Sequence, residues 1–278
     1  MDENWLGEDF KESLFVDLEK LRLTATADSQ QVQTTKAQPE GTTDKPPIKT
    51  EDYVLLKTFT CPVCAQTFKA YVARESKLRL ESLEYDMRPV YQPIDPSLYN
   101  VLACEHCGYC AVSNVFGKIM SRQIALIKEE VAPYFRPRQC PIEPPIDMVI
   151  DRYKLALFNA IAKQAKDGEK AYLCLRITWL YRMKGDDPEN EKKYADLTLK
   201  GFNAAVAKEL PPIMGIEENT LIYLLGAFSM FLGDHVSALK IFSEIVVSKQ
   251  APDRLKNMAR DQKDEILAAR GKNTQTQD

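Results

Sequence analysis

The chain has 278 residues, of which 45% are hydrophobic and 28% charged, and its formal net charge is −3. This composition is typical of a globular protein with one large or two modest domains, and it excludes the overall positive field that drives non-specific nucleic-acid binding. The sequence contains no run of about 18 apolar residues, and its acidic N-terminus MDENWLGEDF is unlike a signal peptide, so we expect a cytoplasmic protein.

Residues 1–50 are predicted to form a disordered N-terminal arm with one short acidic helix at about residues 8–22. Its apolar side chains share one helical face: Phe10, Leu14, Leu18 and Leu21. The following stretch TATADSQQVQTTKAQPEGTTDKPPIKT has little to bury and predicts a disordered linker of roughly 27 residues. Because short isolated helices are marginal in water, the helix docks onto another protein, folds back onto the main domain, or is unstable alone.

Residues 51–115 are predicted to form a small β-rich unit. The stretches FKAYVAR and SKLRLESL alternate in hydropathy like half-buried strands. The proline-rich run RPVYQPIDP indicates a loop. A pair of cysteines lies at a predicted turn near each end of the unit.

The two cysteine pairs have the spacing of a metal site. Cys61 and Cys64 form the first Cys-x-x-Cys pair, and Cys104 and Cys107 form the second, with 39 residues between the pairs. Structural zinc sites take four soft ligands in a tetrahedron, two from each tight turn, and clustered cysteines in a reducing compartment are more often metal ligands than disulfides. The pattern predicts a structural zinc ion in a zinc-ribbon-like unit, closed to substrate because sulfur fills all four positions.

The residues beside these cysteine pairs bear on the turn geometry and on the choice of metal. Gly108 follows the second pair and suits a backbone position with positive φ, whereas Ala65 stands at the equivalent place in the first pair and fits less well. His106 is expected to be exposed, and Cys110 to be a small buried residue on the strand that leaves the second pair. Iron is the less favoured occupant, since two such pairs also hold a rubredoxin-like iron and Cys110 extends the run.

A nucleic-acid role for the β unit has limited support. Between Cys61 and Cys110 the sequence has five Lys or Arg and six Asp or Glu. Tyrosines that can stack on bases are present, but a phosphate-tracking surface needs a basic stripe. Lys77 and Arg79, on one predicted strand face, form at most a small one, so nucleic acid is an alternative rather than the favoured partner.

The remainder is predicted to be helical, which makes the fold class α+β and mostly α. Residues 116–146 hold a connecting helix, ended by Pro133, and a proline-rich loop that marks a domain boundary. Residues 147–270 follow as a helical domain, with a disordered tail at 271–278. Short loops between helices favour antiparallel neighbours. After the first two helices of this domain, further helices are expected at about 190–209, 217–232, 235–248 and 253–270.

The helical domain resembles the tetratricopeptide repeat, in which small residues let two antiparallel helices approach closely. Gly226 would lie at the close contact, Gly233 would end the first helix, and Ala238 and Phe242 would pack from the second. A weaker copy places Gly185 at the position of Gly233, at an offset of 48 residues instead of the usual period of about 34. Such solenoids present a concave face to peptides or partner helices; an ordinary helical bundle is the alternative.

No catalytic residue is predicted. The chain has two histidines, and His235 begins a predicted helix with no nucleophile motif nearby. The sequence contains no phosphate loop, dinucleotide fingerprint or His-Glu-x-x-His motif. Acidic pairs such as Asp186–Asp187 fall at helix starts, where they cap.

Taken together, these motifs resemble an uncharacterised bacterial family, domain of unknown function 2225, over about residues 55 to 270. The family pattern has a CPVC pair with a nearby Phe, an Arg-x-Ser-Lys-x-Arg stretch, a Tyr…Pro…Tyr segment, a CxxCGY pair, and helices with WLYR and a Gly-Asp turn. Ala65 and Cys110 depart from it. The matching residues here are Cys61–Cys64 with Phe68, Arg74–Arg79, Tyr91, Pro96, Tyr99, Cys104–Tyr109 and Trp179–Arg182. The resemblance implies this domain layout and carries no activity.

The sequence therefore predicts a non-enzymatic adaptor or scaffold, with structural zinc in the ribbon and a protein or peptide partner on the helical domain. A nucleic-acid-associated zinc-ribbon factor is the first alternative. A thiol or iron redox protein is the second, in which Cys110 would be the reactive sulfur.

Overall fold

The computed structural model describes residues 5–6, 9–14, 16 and 49–275, with side chains up to residue 270. Residues 24–48 of the predicted linker and residues 276–278 lie outside the described residues, whereas Thr50, predicted to belong to the disordered arm, is buried. The chain divides into two compact units. The ribbon unit comprises Glu8–Arg79 and Gln92–Asn159, and the helical unit comprises Met1–Gly7, Leu80–Tyr91 and Ala160–Asp278.

Two short antiparallel hairpins form the β structure of the ribbon unit. Strands β1 (Val54–Thr60) and β2 (Thr67–Ala73) pair with Phe59 opposite Phe68. Strands β5 (Val101–Ala103) and β6 (Cys110–Val112) pair with Ala103 opposite Cys110. Each hairpin closes on one cysteine pair. Helices α1 (Ser121–Glu130) and α2 (Ile146–Ala162) follow, and α2 passes from the ribbon unit into the helical unit.

Aromatic side chains fill the small core of the ribbon unit. The ring of Phe116 lies 5.6 Å from that of Phe68 and 4.9 Å from that of Tyr109, centroid to centroid. The Tyr109 hydroxyl donates to the Phe116 carbonyl at 3.1 Å, and the buried Tyr153 hydroxyl of α2 donates to the Ser97 carbonyl at 3.0 Å. Buried hydroxyls are thus satisfied, as a core of this kind requires.

Within the described residues, the helical unit contains five further helices and a β-hairpin. The hairpin pairs β3 (Arg79–Leu83) with β4 (Pro89–Gln92). Successive helices pack against each other across short loops, as predicted from the loop lengths. The helices are α3 (Asp167–Lys184), α4 (Pro188–Lys208), α5 (Glu218–Phe231), α6 (His235–Val247) and α7 (Asp253–Gln275).

Helices α3 and α5 both end at a glycine, and an aspartate caps the next helix. Gly185 and Gly233 have φ of +80° and +91°, a left-handed conformation that glycine adopts without a Cβ penalty. Asp187 accepts a hydrogen bond from the Asn190 backbone N–H at 3.1 Å, and Asp234 accepts one from the Ser237 N–H at 3.0 Å. These bonds satisfy orphan donors at the starts of α4 and α6.

Helices α5 and α6 approach closely at Gly226. A Cβ there would lie 2.8 Å from Cε1 of Phe242 and 3.0 Å from Cγ2 of Ile241, both shorter than ordinary van der Waals contact. Phe242 and Ala238 are fully buried in the same contact. Gly226, Ala238 and Phe242 therefore pack at one helix contact, as the sequence pattern predicted.

The division into units differs from the predicted domain boundaries. Residues 80–91 lie within the predicted β unit but pack with the helices, and the first part of α2, predicted to open the helical domain, packs with the ribbon. The run RPVYQPIDP, predicted as loop, contains strand β4. Pro89 is its first residue, a position where a missing N–H is tolerated. Helix α7 continues to Gln275, past residue 271, where the predicted tail begins.

The described part of the N-terminal arm packs against the chain itself. Residues 9–14 are helical, Leu14 is buried, and Lys11 pairs with Glu130 in the ribbon unit. In the helical unit, Trp5 donates from Nε1 to Asp167 at 3.0 Å, and its ring lies where a side chain at position 201 would be, since a Cβ on Gly201 would meet it at 2.6 Å. These contacts match the folding-back interpretation of the arm. Residues 17–22 of the predicted helix lie outside the described residues.

Candidate metal centre

The two cysteine pairs have the same local backbone geometry. In the first, Ala65 donates its N–H to the Cys61 carbonyl at 2.9 Å and has φ of +61°; in the second, Gly108 donates to the Cys104 carbonyl at 3.0 Å and has φ of +74°. Both pairs therefore require a left-handed residue after the second cysteine. Gly108 meets this without strain, and Ala65 adopts the same conformation although its Cβ disfavours it.

The hairpins bring the four sulfurs together. The sulfurs of Cys61 and Cys107 lie 3.6 Å apart, and those of Cys64 and Cys104 lie 3.7 Å apart. All four ligand atoms lie within 4.8 Å of one another, a group that could hold a metal ion. Three of these cysteines are buried and Cys64 is half-buried. Each contact joins one pair to the other, so a bound ion would link the two hairpins.

The electrostatics of this cluster favour a bound cation. The hydrogen bond between the thiols of Cys61 and Cys107 lowers the pKa of Cys61 to about 5 and raises the pKa of Cys107. Burial raises the pKa of Cys104 to about 11. Four sulfurs this close together, three of them buried, cannot all ionise alone, because like charges repel and burial penalises the charged form. A metal cation would remove that penalty by binding all four as thiolates.

The second pair is supported from the rest of the ribbon unit. The side-chain amide of Asn159 on α2 donates to the Gly108 carbonyl at 3.2 Å. A Cβ on Gly108 would lie 2.4 Å from the Phe135 ring, so glycine is required there for space as well as for its φ. Helix α2 and the loop before it therefore hold the turn that carries Cys104 and Cys107.

The other sequence-predicted residues of the centre lie where expected. His106 is exposed, and its Nε2 lies 3.0 Å from the Thr67 carbonyl. Cys110 is buried on β6, and its thiol donates to the Arg152 carbonyl at 3.4 Å. All seven cysteines are free thiols. Cys174 is buried among apolar side chains of α3, where burial raises its pKa.

The Trp-Leu-Tyr-Arg motif has a structural role in the helical unit. Asp86, between β3 and β4, is fully buried and accepts hydrogen bonds from Trp179 Nε1 at 2.9 Å and Arg182 Nη1 at 2.7 Å. Arg182 also pairs with Glu84 at 3.1 Å and Glu191 at 2.7 Å. These bonds attach the hairpin to α3 and α4. Sequence reasoning missed this role of Asp86, because a lone Asp in a turn has no local feature that marks it as buried.

A cavity in the ribbon unit was also missed. It is lined by α2 and by the proline-rich loop, and among its side chains are Cys140, Asp151 and Arg152. One sequence feature pointed to it: an adjacent acid and base, Asp151–Arg152, interrupt the apolar helix α2.

The fold and site define a class of protein that has one unit with four clustered cysteines in two hairpin turns and one unit of packed helices. The chain belongs to the family described as an uncharacterised protein conserved in bacteria, DUF2225, which matches residues 54–266, as the motif resemblance predicted. No curated protein and no solved structure matches the chain. Among the described helices, none is long and apolar enough to cross a membrane.

Proposed function

We propose that the protein is a non-enzymatic, cytoplasmic interaction module in which a structural zinc ion stabilises the ribbon unit and the helical unit binds a protein partner. The observation that carries the proposal is the meeting of four cysteine sulfurs from two hairpins. Four sulfurs complete the coordination that zinc takes in structural sites. A site closed in this way offers no position for substrate or water.

The donor set suits two metals, of which we propose zinc. Cys61, Cys64, Cys104 and Cys107 supply four thiolates, which suit Zn²⁺ and are also used by rubredoxin-like iron. Zinc is the proposed occupant because the ribbon unit has short strands and a small core, the situation in which a structural metal supplies folding free energy. Iron is the second candidate and would make the protein a redox protein. The buried position of Cys110 disfavours it as a reactive thiol.

The partner-binding part rests on the packing of the helical unit, for which we propose a short tetratricopeptide-like solenoid. The close approach at Gly226 and the matching turns at Gly185 and Gly233 support it. Solenoids of this kind bind an extended segment or helix of a partner on their concave face. The proposed partner is therefore a protein segment and not a small substrate.

The metal is tested by elemental analysis of the purified chain. We expect about one zinc per chain, lost in both Cys61→Ser and Cys107→Ser. Cys140→Ser, a cysteine outside the cluster, is the matched control and should keep its zinc. An absorption spectrum with iron–thiolate bands would show that the bound metal is iron and not zinc. Unchanged metal content in both cluster variants would show that these cysteines are not the ligands.

The partner is tested by affinity purification from the native host in gentle salt, with and without nuclease. We expect one protein that survives nuclease, rebinds the purified chain saturably, and is retained by Cys107→Ser, because the helical unit would bind it. Binding that is dominated by RNA or DNA and lost with nuclease would favour the alternative role, in which Lys77 and Arg79 contact phosphates. Such binding would also weaken steeply with added salt.

A further inference from the structure

The ribbon unit contains a cavity of about 1020 Å³ that is distinct from the four-cysteine cluster. It lies between the β1–β2 hairpin, the loop at residues 134–140 and helix α2. Pockets for small organic ligands usually measure about 300–1,000 Å³, so this cavity can hold one such molecule. Neither the proposed metal nor the proposed partner surface uses it.

Most of the cavity wall is apolar. Each wall element contributes aliphatic or aromatic side chains, from strands, loop and helix alike. Among them are Leu56, Tyr71, Val131, Phe135, Leu155 and Phe158. A mainly apolar wall with a few polar groups is the usual composition of a ligand pocket, and it requires a ligand with an apolar body.

The charged side chains at the cavity are mostly positive. Four cations line it (Lys69, Arg136, Arg138 and Arg152) against two acids, Glu105 and Asp151. One cation is neutralised inside the cavity, since Arg138 lies 3.4 Å from Asp151. Within the part of the chain that the structure describes, no carboxylate pairs with Lys69, Arg136 or Arg152. The cavity therefore retains positive charge that a bound anion would neutralise.

Arg152 is held in place at the wall. Its Nη1 donates to the Cys140 sulfur at 2.6 Å and its Nη2 donates to the Val101 carbonyl at 3.1 Å. These two bonds orient the planar guanidinium before any ligand arrives. A pre-oriented guanidinium loses little entropy on binding, which suits carboxylate, sulfonate and phosphate groups.

Asp151, the acid that pairs with Arg138, is a weaker acid than an ordinary aspartate. Burial raises the pKa of Asp151 to about 6, although Lys154 and Arg138 oppose the shift. This carboxyl is therefore protonated more readily than an ordinary aspartate, which reduces its repulsion of an incoming anion.

We propose that the cavity binds a small amphipathic anion, an organic acid whose apolar body lies against Phe135 and Leu155 and whose anionic group is bound by Arg152, with Arg136 and Lys69 at the entrance. The apolar wall contacts the apolar part of the ligand, and the cations that pair with no carboxylate bind its anionic group. This site uses none of the four clustered cysteines and lies apart from the proposed partner surface, so it can be tested on the metal-loaded full chain.

The test uses two fluorescent probes that differ in one group. 8-Anilinonaphthalene-1-sulfonate carries an anion on an aromatic body, and N-phenyl-1-naphthylamine has the same body without it. We expect about one sulfonate probe per chain and about tenfold weaker binding of the neutral probe, since two or three partly exposed cations contribute on the order of 1.4 kcal/mol, which is tenfold. Lys69→Gln with Arg136→Gln should weaken the sulfonate about fivefold to tenfold and leave the neutral probe unchanged.

Matched variants control for charge and for folding. Lys118→Gln removes an exposed cation of the ribbon unit outside the cavity and should change neither probe. Leu155→Trp fills the cavity and should weaken both. Because the sulfonate probe also binds partly unfolded proteins, each variant must keep the near-UV circular dichroism and zinc content of the wild type.

Three outcomes would overturn the proposal. Equal affinity of the chain for both probes would show that the cavity does not recognise the anionic group. Sulfonate binding unchanged by the double variant would place the probe elsewhere, and so would weakening by Lys118→Gln of the same size. If Leu155→Trp does not fold, the double variant still decides, because Lys69 and Arg136 are both exposed and can be replaced without disturbing the core.

Discussion

The two units of this chain are stabilised in different ways. The ribbon unit has three-residue strands in β5 and β6, and its four cysteines are brought together by the turns of two hairpins. The helical unit has two large apolar clusters, one on α3, α4 and α5 and one on α5, α6 and α7. Stability of the first unit should therefore depend on a removable ion. That of the second should depend on side-chain packing, which no ligand supplies.

Acidic side chains of the two units also differ in their surroundings. In the helical unit the buried carboxylate of Asp86 accepts from Trp179 and Arg182 at Oδ2 and from the Arg88 backbone N–H at Oδ1. In the ribbon unit Asp151 and Arg152 line a cavity. Buried charges that are fully paired stabilise a fold only as long as each partner remains, whereas those that line a cavity remain available to a ligand.

The largest expected effect is that loss of the metal unfolds one unit and leaves the other folded. Cys107→Ser should unfold the ribbon unit, because structural zinc contributes about 10–16 kcal/mol to small metal domains, as much as the stability of a whole domain. In hydrogen exchange, amides of β1 and β2 should lose protection and those of α5 and α6 should keep it. Equal loss of protection in both units would contradict this and show that they unfold together.

The next effect concerns the buried ion network of the helical unit. Asp86→Ala should lower the free energy of unfolding of that unit by about 3–5 kcal/mol, because Arg182 and Trp179 lose a buried partner. Asp86→Asn should cost less, since it still accepts from Trp179. Urea denaturation measures both. Asp186→Ala is the control: it is 67% exposed and pairs with Lys184 alone, so it should change stability by less than about 0.5 kcal/mol.

A pH-dependent effect distinguishes the acid of the ribbon unit from that of the helical unit. Burial raises the pKa of Asp151 to about 6, so the folded state binds this proton more tightly than the unfolded state. The resulting stability is present at low pH and is lost as the pH rises through about 6. Relative to wild type, Asp151→Asn should become more stable between about pH 5 and pH 8, by on the order of 2 kcal/mol.

The quantity to compare is the difference in free energy of unfolding between wild type and Asp151→Asn, measured at each pH. Metal-linked protons are common to wild type and variant, so they cancel in the difference between their free energies of unfolding. Asp52→Asn, an exposed acid of the ribbon unit that does not contribute to the Asp151 shift, is the control. A pH-independent difference for Asp151→Asn would mean that burial leaves the pKa of this carboxyl unshifted.

Local sequence signals predicted the parts of this structure that depend on short stretches of chain. The spacing of Cys61, Cys64, Cys104 and Cys107 predicted the cluster, and Gly108 predicted a left-handed turn. Periodicity and capping residues predicted the helices after α3 to within a few residues, except at the end of α7.

Tertiary contacts decided the parts that could not be predicted. Residues 80–91 lie between the cysteine pairs in sequence, yet pack with the helices because Asp86 is bound by Trp179 and Arg182, more than 90 residues away. The cavity combines β1 and β2 with α2, which lies far from them along the chain. No periodicity or spacing marks such pairings, so the unit boundaries and the cavity required the structure.

The smallest expected effect tests packing in the helical unit. Gly226→Ala gains about 1 kcal/mol of helix propensity, but its Cβ would lie 2.8 Å from the Phe242 ring, and overpacking costs about 1–3 kcal/mol. We expect a net loss of about 1 kcal/mol. Gly117→Ala, where a Cβ meets nothing within 4 Å, should be nearly neutral. In a Phe242→Leu background the Gly226→Ala penalty should shrink, since the ring that makes the closest contact is gone while Cγ2 of Ile241, 3.0 Å from the Cβ position, remains. An unchanged penalty there would show that the Phe242 ring is not its cause.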